Sequence, residues 1–309
     1  MNNILRSSAA GLLAAITLPV AAGTLVDDYR QVYAHGTASH QVDIDNDSLL
    51  LTQRDGFYTS GVRYAYRRST ASASEVRVAG WRLGQELYTP SNINLPPALV
   101  GPPDRPYAGW LYGGVFHEVY RADGTHVRYG LDLGCLGPCA GGEWTQTRLH
   151  RLLDQPEPRG WARQVRNEAG VQLYAETAPV RWQLGRQLDA TPVLRGRLGN
   201  IFTDAGAGIT VRAGRLDALP GQRTLHAFLR ADANLVVYNA TMQGGLFSRN
   251  DPHTVDPKRV YGEVELGAAW RDGPFGLRVG VVHRTNEVHG LPNSVGAQNY
   301  LRLQLLYAP

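Results

Sequence analysis

The chain has 309 residues, 43% of them hydrophobic, and a formal net charge of +4 from 31 Lys+Arg against 27 Asp+Glu. That length suits one large domain or two small ones, and no internal repeat or low-complexity linker divides it. The cations are arginines apart from Lys258 and are scattered rather than clustered, which excludes a nucleic-acid interface. Arginine suits bidentate contact with phosphorylated lipid heads, and a GC-rich coding bias accounts for the same excess.

The first element in chain order is a leader. Arg6 supplies a positive charge, 9–20 is apolar, and Ala21 and Ala22 are small, so 1–22 reads as a secretory signal peptide with Gly23 opening the mature chain. That run is too short to cross a bilayer, and no later run reaches the length of a spanning helix. A membrane β-barrel stays possible, because it hides its lipid-facing residues in alternation and its hydropathy looks ordinary. The mean hydropathy of −0.27 fits that as well as it fits a soluble protein.

The rest, 23–309, is expected to be a single all-β domain. Val62, Tyr64 and Tyr66 alternate with Arg63, Ala65 and Arg67; Val264 and Leu266 alternate with Glu263 and Glu265. One apolar and one polar face, repeated along the chain, predicts an antiparallel transmembrane β-barrel with its charges in the lumen. Strands are predicted over 40–51, 57–68, 75–88, 109–121, 125–136, 169–179, 181–198, 204–215, 224–238, 259–271, 275–286 and 297–307, about 12 in all. Connections alternate between short turns and longer loops, the longest over 89–108, 136–168, 239–258 and 287–296. Periplasmic turns and extracellular loops in that order place the protein in a bacterial outer membrane. The loops at 53–56 and 199–203 are short exceptions.

The third outside loop carries a predicted helix over 141–153, bounded by Pro138 and Pro156. Gln146 and His150 share one of its faces at i,i+4, and Trp144, Arg148 and Arg151 lie near one another. Cys135 and Cys139 precede it, a local disulfide in an oxidising compartment if the chain turns at Gly137-Pro138.

Loop parity brings several polar residues to the extracellular end: Asn46 and Asp47 in the upper half of the first strand, Thr59 and Ser60 atop the second, Gln146 and His150 on the helix. A histidine can serve as general base to water, and Asn, Asp and Thr oxygens suit a hard cation such as Ca²⁺. No Gly-x-Ser-x-Gly elbow argues for a serine nucleophile.

Ordered motifs then resemble a known family. Asn46-Asp47-Ser48, Gly56-Phe57-Tyr58-Thr59-Ser60-Gly61, Gly84-Gln85-Glu86-Leu87-Tyr88-Thr89-Pro90, Asp104-Arg105-Pro106-Tyr107-Ala108-Gly109-Trp110, Gln146-Thr147-Arg148-Leu149-His150 and Arg159-Gly160-Trp161 are similar to the lipid A 3′-O-deacylases of Gram-negative outer membranes. The likeness is dense over 40–175 and thins into plain barrel pattern afterwards. It implies a twelve-stranded barrel enzyme with Ca²⁺ as cofactor, acting on lipopolysaccharide among outer-membrane lipids; a monomer is expected, with the oligomeric state left open by the sequence. The ester hydrolysed would be the 3′-linked acyloxyacyl group of lipid A, and the active site would face the extracellular leaflet. By the same likeness His150 is the base, Asn46, Asp47 and Thr59 form the metal and oxyanion cluster, and Gln146 supports them. The chain departs from the pattern in three places: Ser91-Asn92-Ile93-Asn94 lacks a basic pair, Pro156 stands where an acidic residue is expected, between Asp154 and Glu157 in the same stretch, and the end is Tyr307-Ala308-Pro309 without a terminal aromatic. An outer-membrane phospholipase and a non-catalytic pore or adhesion barrel are the competing readings.

Overall fold

The computed structural model describes residues 22–50, 56–217 and 219–309. The expected signal peptide, but for Ala22, lies outside them. A helix α1 (Ala22–His35) leads into β1 (Thr37–Asn46), β2 (Phe57–Ala71), β3 (Glu75–Thr89), β4 (Ala108–Arg121) and β5 (His126–Leu136). Helix α2 (Gly142–Leu152) precedes β6 (Glu168–Ala178), β7 (Leu188–Gly199), β8 (Phe202–Arg215) and β9 (Thr224–Asn239). Then come α3 (Ala240–Gln243), β10 (Val260–Asp272), β11 (Phe275–Arg284), α4 (Asn293–Gly296) and β12 (Gln298–Tyr307). Each strand pairs antiparallel with its sequence neighbours, and β1 pairs with β12 from His40↔Tyr307 to Asn46↔Leu301. The ring of twelve is closed, which removes every exposed sheet edge.

Two strand expectations need correction. The segment read as a strand over 181–198 starts its long strand only at Leu188. Gly185, at φ +85°, turns the chain back so that Trp182–Gln183 pairs with Ala190 and Asp189 as a small flap. The first strand stops at Asn46, short of the expected 51. The Asn46 side-chain oxygen accepts from Ser48 Oγ (2.5 Å) and from the Leu49 amide (3.2 Å), which closes a 3₁₀ turn at Ser48–Leu50 in place of the ladder.

The faces sort by charge. Arg67 on β2 reaches Glu118 on β4 at 2.6 Å, Arg82 on β3 reaches Asp132 on β5 at 2.5 Å, and Arg302 on β12 reaches Glu265 on β10 at 3.0 Å. Side chains two strands apart meet only on the concave side of a closed sheet, so this face is the lumen. On the opposite face Val62, Leu83, Leu133, Leu229 and Leu266 are all exposed, the apolar band of a membrane barrel. The expectation of charges inside and apolar residues outside holds. Among the described residues no helix is long and apolar enough to cross a membrane.

Helix α1, which the strand pattern did not foresee, lies against the outer wall near the short-turn end. Its Asp28, Tyr29, Val32 and Tyr33 recur at helical spacing on one side. Tyr29 donates its hydroxyl to the Gly80 carbonyl (3.0 Å), Tyr33 meets the Tyr66 ring edge-on, and Asp28 pairs with His117 (3.0 Å) and Arg77 (2.5 Å). The helix thereby covers polar groups that would otherwise face lipid.

At the other end the loops form a lid tied by one buried cation. Arg105 donates to Glu287 (2.8 Å) and to Thr241 Oγ1 (2.7 Å), and its guanidinium lies 4.6 Å from the Tyr88 ring centre. Burial pushes this guanidinium below its ordinary range, and the Glu287 carboxylate opposes that push. Beneath the lid a cavity of about 180 Å³ persists between Asp45, Arg63, Glu86, Arg197 and Arg284. With the lumen crossed by ion pairs and the lid tied down, reconstituted protein should show no steady ion conductance in planar-bilayer recordings. Arg105→Ala removes the closer of the two guanidiniums paired with Glu287, leaving Arg284 at 3.6 Å, and should lower stability by about 1.5–3 kcal/mol, read from urea unfolding in detergent.

Candidate active site

Strand register decides which face each site residue occupies. Asp45 faces the lumen, where Arg63 and Arg302 pair with it at 3.2 and 3.1 Å, so its neighbour Asn46 faces outward. Asn46 stands opposite Ser60, which stands opposite Leu87, which stands opposite Gly109. Directly paired residues share a face, so this row lies on the outside of the wall. In the row beneath it, Ile44, Val62, Gln85 and Leu111, the exposed Val62 and Leu111 belong to the apolar band, while Gln85 is taken up by the turn before α2.

Thr59 reaches the same side through a β-bulge. The β2–β3 register slips between Tyr58 and Ser60, leaving Thr59 as the extra residue. Tyr58 still points inward, its hydroxyl donating to Asp45 at 3.0 Å, while Thr59 Oγ1 shares a 2.7 Å hydrogen bond with outward-facing Thr89 Oγ1. Regular alternation would have sent Thr59 into the lumen. The strand enters this bulge from Phe57, a non-glycine residue at φ +68°. Its ring is held in a cluster with Met242, Val255 and Val288, which offsets a backbone cost of about 1–3 kcal/mol. Asp47 lies just beyond β1, not within the first strand as expected; its amide donates to the Thr59 carbonyl (3.5 Å), and its Oδ2 accepts from the Gly56 amide (2.9 Å).

The second half of the site is carried by α2 (Gly142–Leu152), on the long loop over 136–168 as expected. The turn before it includes the disulfide between Cys135 and Cys139. Gly141 adopts φ +68° at the helix start, a conformation that favours glycine. Gly142 then fits against the wall: a Cβ there would lie 2.6 Å from the Trp161 ring and 3.0 Å from Leu87. The Gln85 side chain donates to the Ala140 carbonyl at 2.7 Å. Because Leu87, Gln85 and Gly109 all face outward, α2 packs on the exterior of β3 and β4. Gly142, Gln146 and His150, four residues apart, are its buried stripe.

Each functional side chain on that stripe is oriented. The Trp161 indole N–H donates to Gln146 Oε1 at 2.8 Å, which leaves the Gln146 amide nitrogen as the donor end on the other side. Trp161 is itself packed with Leu87, Val100 and Tyr107. His150 Nδ1 lies 2.6 Å from the Pro156 carbonyl oxygen. A carbonyl only accepts, so Nδ1 carries a proton; in the neutral ring the lone pair is then on Nε2, as a general base needs. A backbone oxygen thus does the orienting work where an acidic side chain was expected. Glu157 pairs instead with Arg151 (2.8 Å), and that hydrogen-bonded guanidinium holds its carboxyl below the usual range.

The two halves meet through β3, whose Thr89 holds Thr59 and whose Leu87 seats α2. All five expected residues are buried and lie at the same end of the barrel. Sequence reasoning missed Thr89, although it stood inside a quoted motif, and it missed the roles of Trp161 and the Pro156 carbonyl. A carbonyl has no residue-type signal. Among the described residues no three His, Cys, Asp or Glu side chains gather. The oxygen donors at Asn46, Asp47 and Thr59 comprise one carboxylate with amide and hydroxyl groups, a set whose chemistry fits a hard cation.

Comparison with known proteins follows this geometry. LpxR from Salmonella typhimurium has a similar structure, at a TM-score of 0.72 and 21% identity, over 87% of this chain and 99% of that one. The β-domain of the Bordetella autotransporter BrkA is more distant, at a TM-score of 0.50 and 12% identity over 89% of this chain and 99% of that one. No match was found among curated protein sequences. Isotope-edited NMR of the His150 ring in detergent should show the Nδ1–H tautomer; an Nε2–H resonance would contradict the assigned orientation. A family profile described as outer membrane protein LpxR matches residues 9–307, so the chain belongs to the LpxR family of outer-membrane β-barrels.

Proposed function

We propose that this protein is a lipid A deacylase that hydrolyses the 3′-linked acyloxyacyl ester, with its long-loop end in the outer leaflet. Family membership supports the outer-membrane setting. The observation that carries the reading is the position of the cluster: Asn46, Ser60 and Thr59 face outward directly above the apolar row of Val62 and Leu111. A substrate whose acyl chains lie in the bilayer reaches such a site sideways, with the chains along the wall and the ester at the rim. A soluble substrate entering through the lumen would not meet these residues.

In this scheme His150 Nε2 accepts a proton from water as the water oxygen attacks the ester carbonyl carbon. The Pro156 carbonyl holds the ring and stabilises the imidazolium that forms. Gln146 directs its amide N–H groups toward the developing oxyanion. When the C–O bond breaks, His150 returns its proton to the sugar oxygen, giving a free hydroxyl and a carboxylic acid. Asn46, Asp47 and Thr59 would hold Ca²⁺, which supplies charge stabilisation at the carbonyl oxygen when bound.

Mass spectrometry of lipid A from outer membranes expressing the protein should show loss of one acyloxyacyl group. His150→Ala should reduce that loss by about 10²–10⁴-fold, and a Ca²⁺ chelator should suppress it in the wild type. Unchanged lipid A alongside released phospholipid fatty acids would reassign the substrate to glycerophospholipid. No lipid change from a folded, surface-located barrel would end the hydrolase reading.

A further inference from the structure

Helix α2 has a second face. Its buried stripe is Gly142, Gln146 and His150; Trp144, Arg148 and Leu152 follow the same spacing two residues on, about 200° around the helix and therefore opposite. Trp144 is 67% exposed and Leu152 81% exposed on that side, and Leu153 is exposed just past the helix end. Such a run of large apolar side chains is unusual on a solvated helix.

Position gives that face a partner. Since α2 packs on the outer side of β3 and β4, its far face points radially away from the barrel, not up into solvent. A helix is about 10–12 Å across, so the far stripe stands roughly that distance beyond the wall. On the wall beneath the helix lie the exposed Leu83, Leu111 and Leu133 of the lipid-facing band, so the far stripe projects outward at the upper edge of that band. Tryptophan and leucine around one cation are the side chains of a helix lying at the boundary between headgroups and acyl chains. Arg151 is committed to Glu157, whereas Arg148, midway along the stripe, makes no ion pair among the described residues.

We infer that the outer face of α2, formed by Trp144, Arg148 and Leu152 and continued by Leu153 just past the helix end, is a membrane-docking surface seated in the leaflet that surrounds the barrel. The occupant is bulk lipid: acyl chains against the leucines and tryptophan, a headgroup phosphate on Arg148. The inference rests on the proposed placement of the long-loop end in the outer leaflet. Its consequence is that surrounding lipid, independently of substrate, presses the His150 and Gln146 stripe onto the wall. The same helix then holds the active site closed on one side and anchors it on the other.

The test uses the full-length barrel refolded into vesicles of phosphatidylcholine with some phosphatidylglycerol. The emission difference between wild type and Trp144→Phe isolates Trp144. It should be quenched strongly by phosphatidylcholine brominated high on the acyl chain, more weakly by lipid brominated near the chain end, and little by aqueous acrylamide. Quenching by acrylamide alone, as for a side chain facing water or another protein, would overturn the inference. A second variant, Leu152→Glu with Leu153→Glu, should cut turnover of vesicle-embedded lipid A by about tenfold or more while changing turnover of detergent-dispersed substrate by less than about twofold. Equal loss in both settings would mean a packing role for these leucines and would also overturn it. If the wild type acts on lipid A in neither setting, the deacylase reading fails, and the quenching result alone decides the docking surface.

Discussion

The arginine–carboxylate lattice in the lumen is the constraint on which the rest of the molecule depends. Arg302 alone bridges Asp45, Glu263 and Glu265, and Arg67 and Arg128 both converge on Glu118. Charges this deeply buried are tolerated only when paired, so the interior must be filled in one specific way and has little space to offer a ligand. Once the inside is committed, the proposed site for a large amphiphile has to lie on the outside. That is where the bulge at Thr59 and the long third loop put it.

The outer wall alone provides a row of small and polar side chains, too shallow to exclude water. Depth comes from α2, which is laid against β3 and β4 by two glycines, one in a left-handed turn and one at a close approach to Trp161 and Leu87. The candidate site is therefore half sheet and half helix, with Thr89 and Leu87 of β3 between the two halves. Within it, orientation is supplied by groups with fixed hydrogen-bonding roles. The Trp161 indole can only donate and the Pro156 carbonyl can only accept, so Gln146 and His150 each have one end assigned.

The two ends of the β2–β4 wall are covered differently. Near the short-turn end α1 shields Arg77, His117 and the Gly80 carbonyl from lipid; near the long-loop end α2 shields the reactive cluster. The strip between them, from Trp81 and Leu83 across to Val115 and Leu133, stays exposed and apolar. A lipid approaching the proposed active site along β3–β5 would lie against this strip, between the two helices. In the proposed scheme, selectivity then depends on how acyl chains lie along the wall as well as on the headgroup.

Period-2 alternation along the chain was enough to read the barrel, its number of long strands and the polarity of its faces, because a sheet has one side-chain rule and a closed barrel applies it everywhere. Loop lengths placed Asn46, Thr59, Gln146 and His150 at one end, and the i,i+4 spacing put the last two on one helix face. Other features were not legible. Asn46 ends its strand because its own side chain captures the following amide, and Thr59 faces outward because one inserted residue reverses the alternation. Helix α1 escaped notice because its polar side chains find partners only on a finished wall. That Thr59, Gln146 and His150 share the outer side of the wall was decided by tertiary structure alone. A one-residue bulge and a carbonyl six residues past a histidine have no signature in residue type, and they gain meaning only when the folded wall and the helix are brought together.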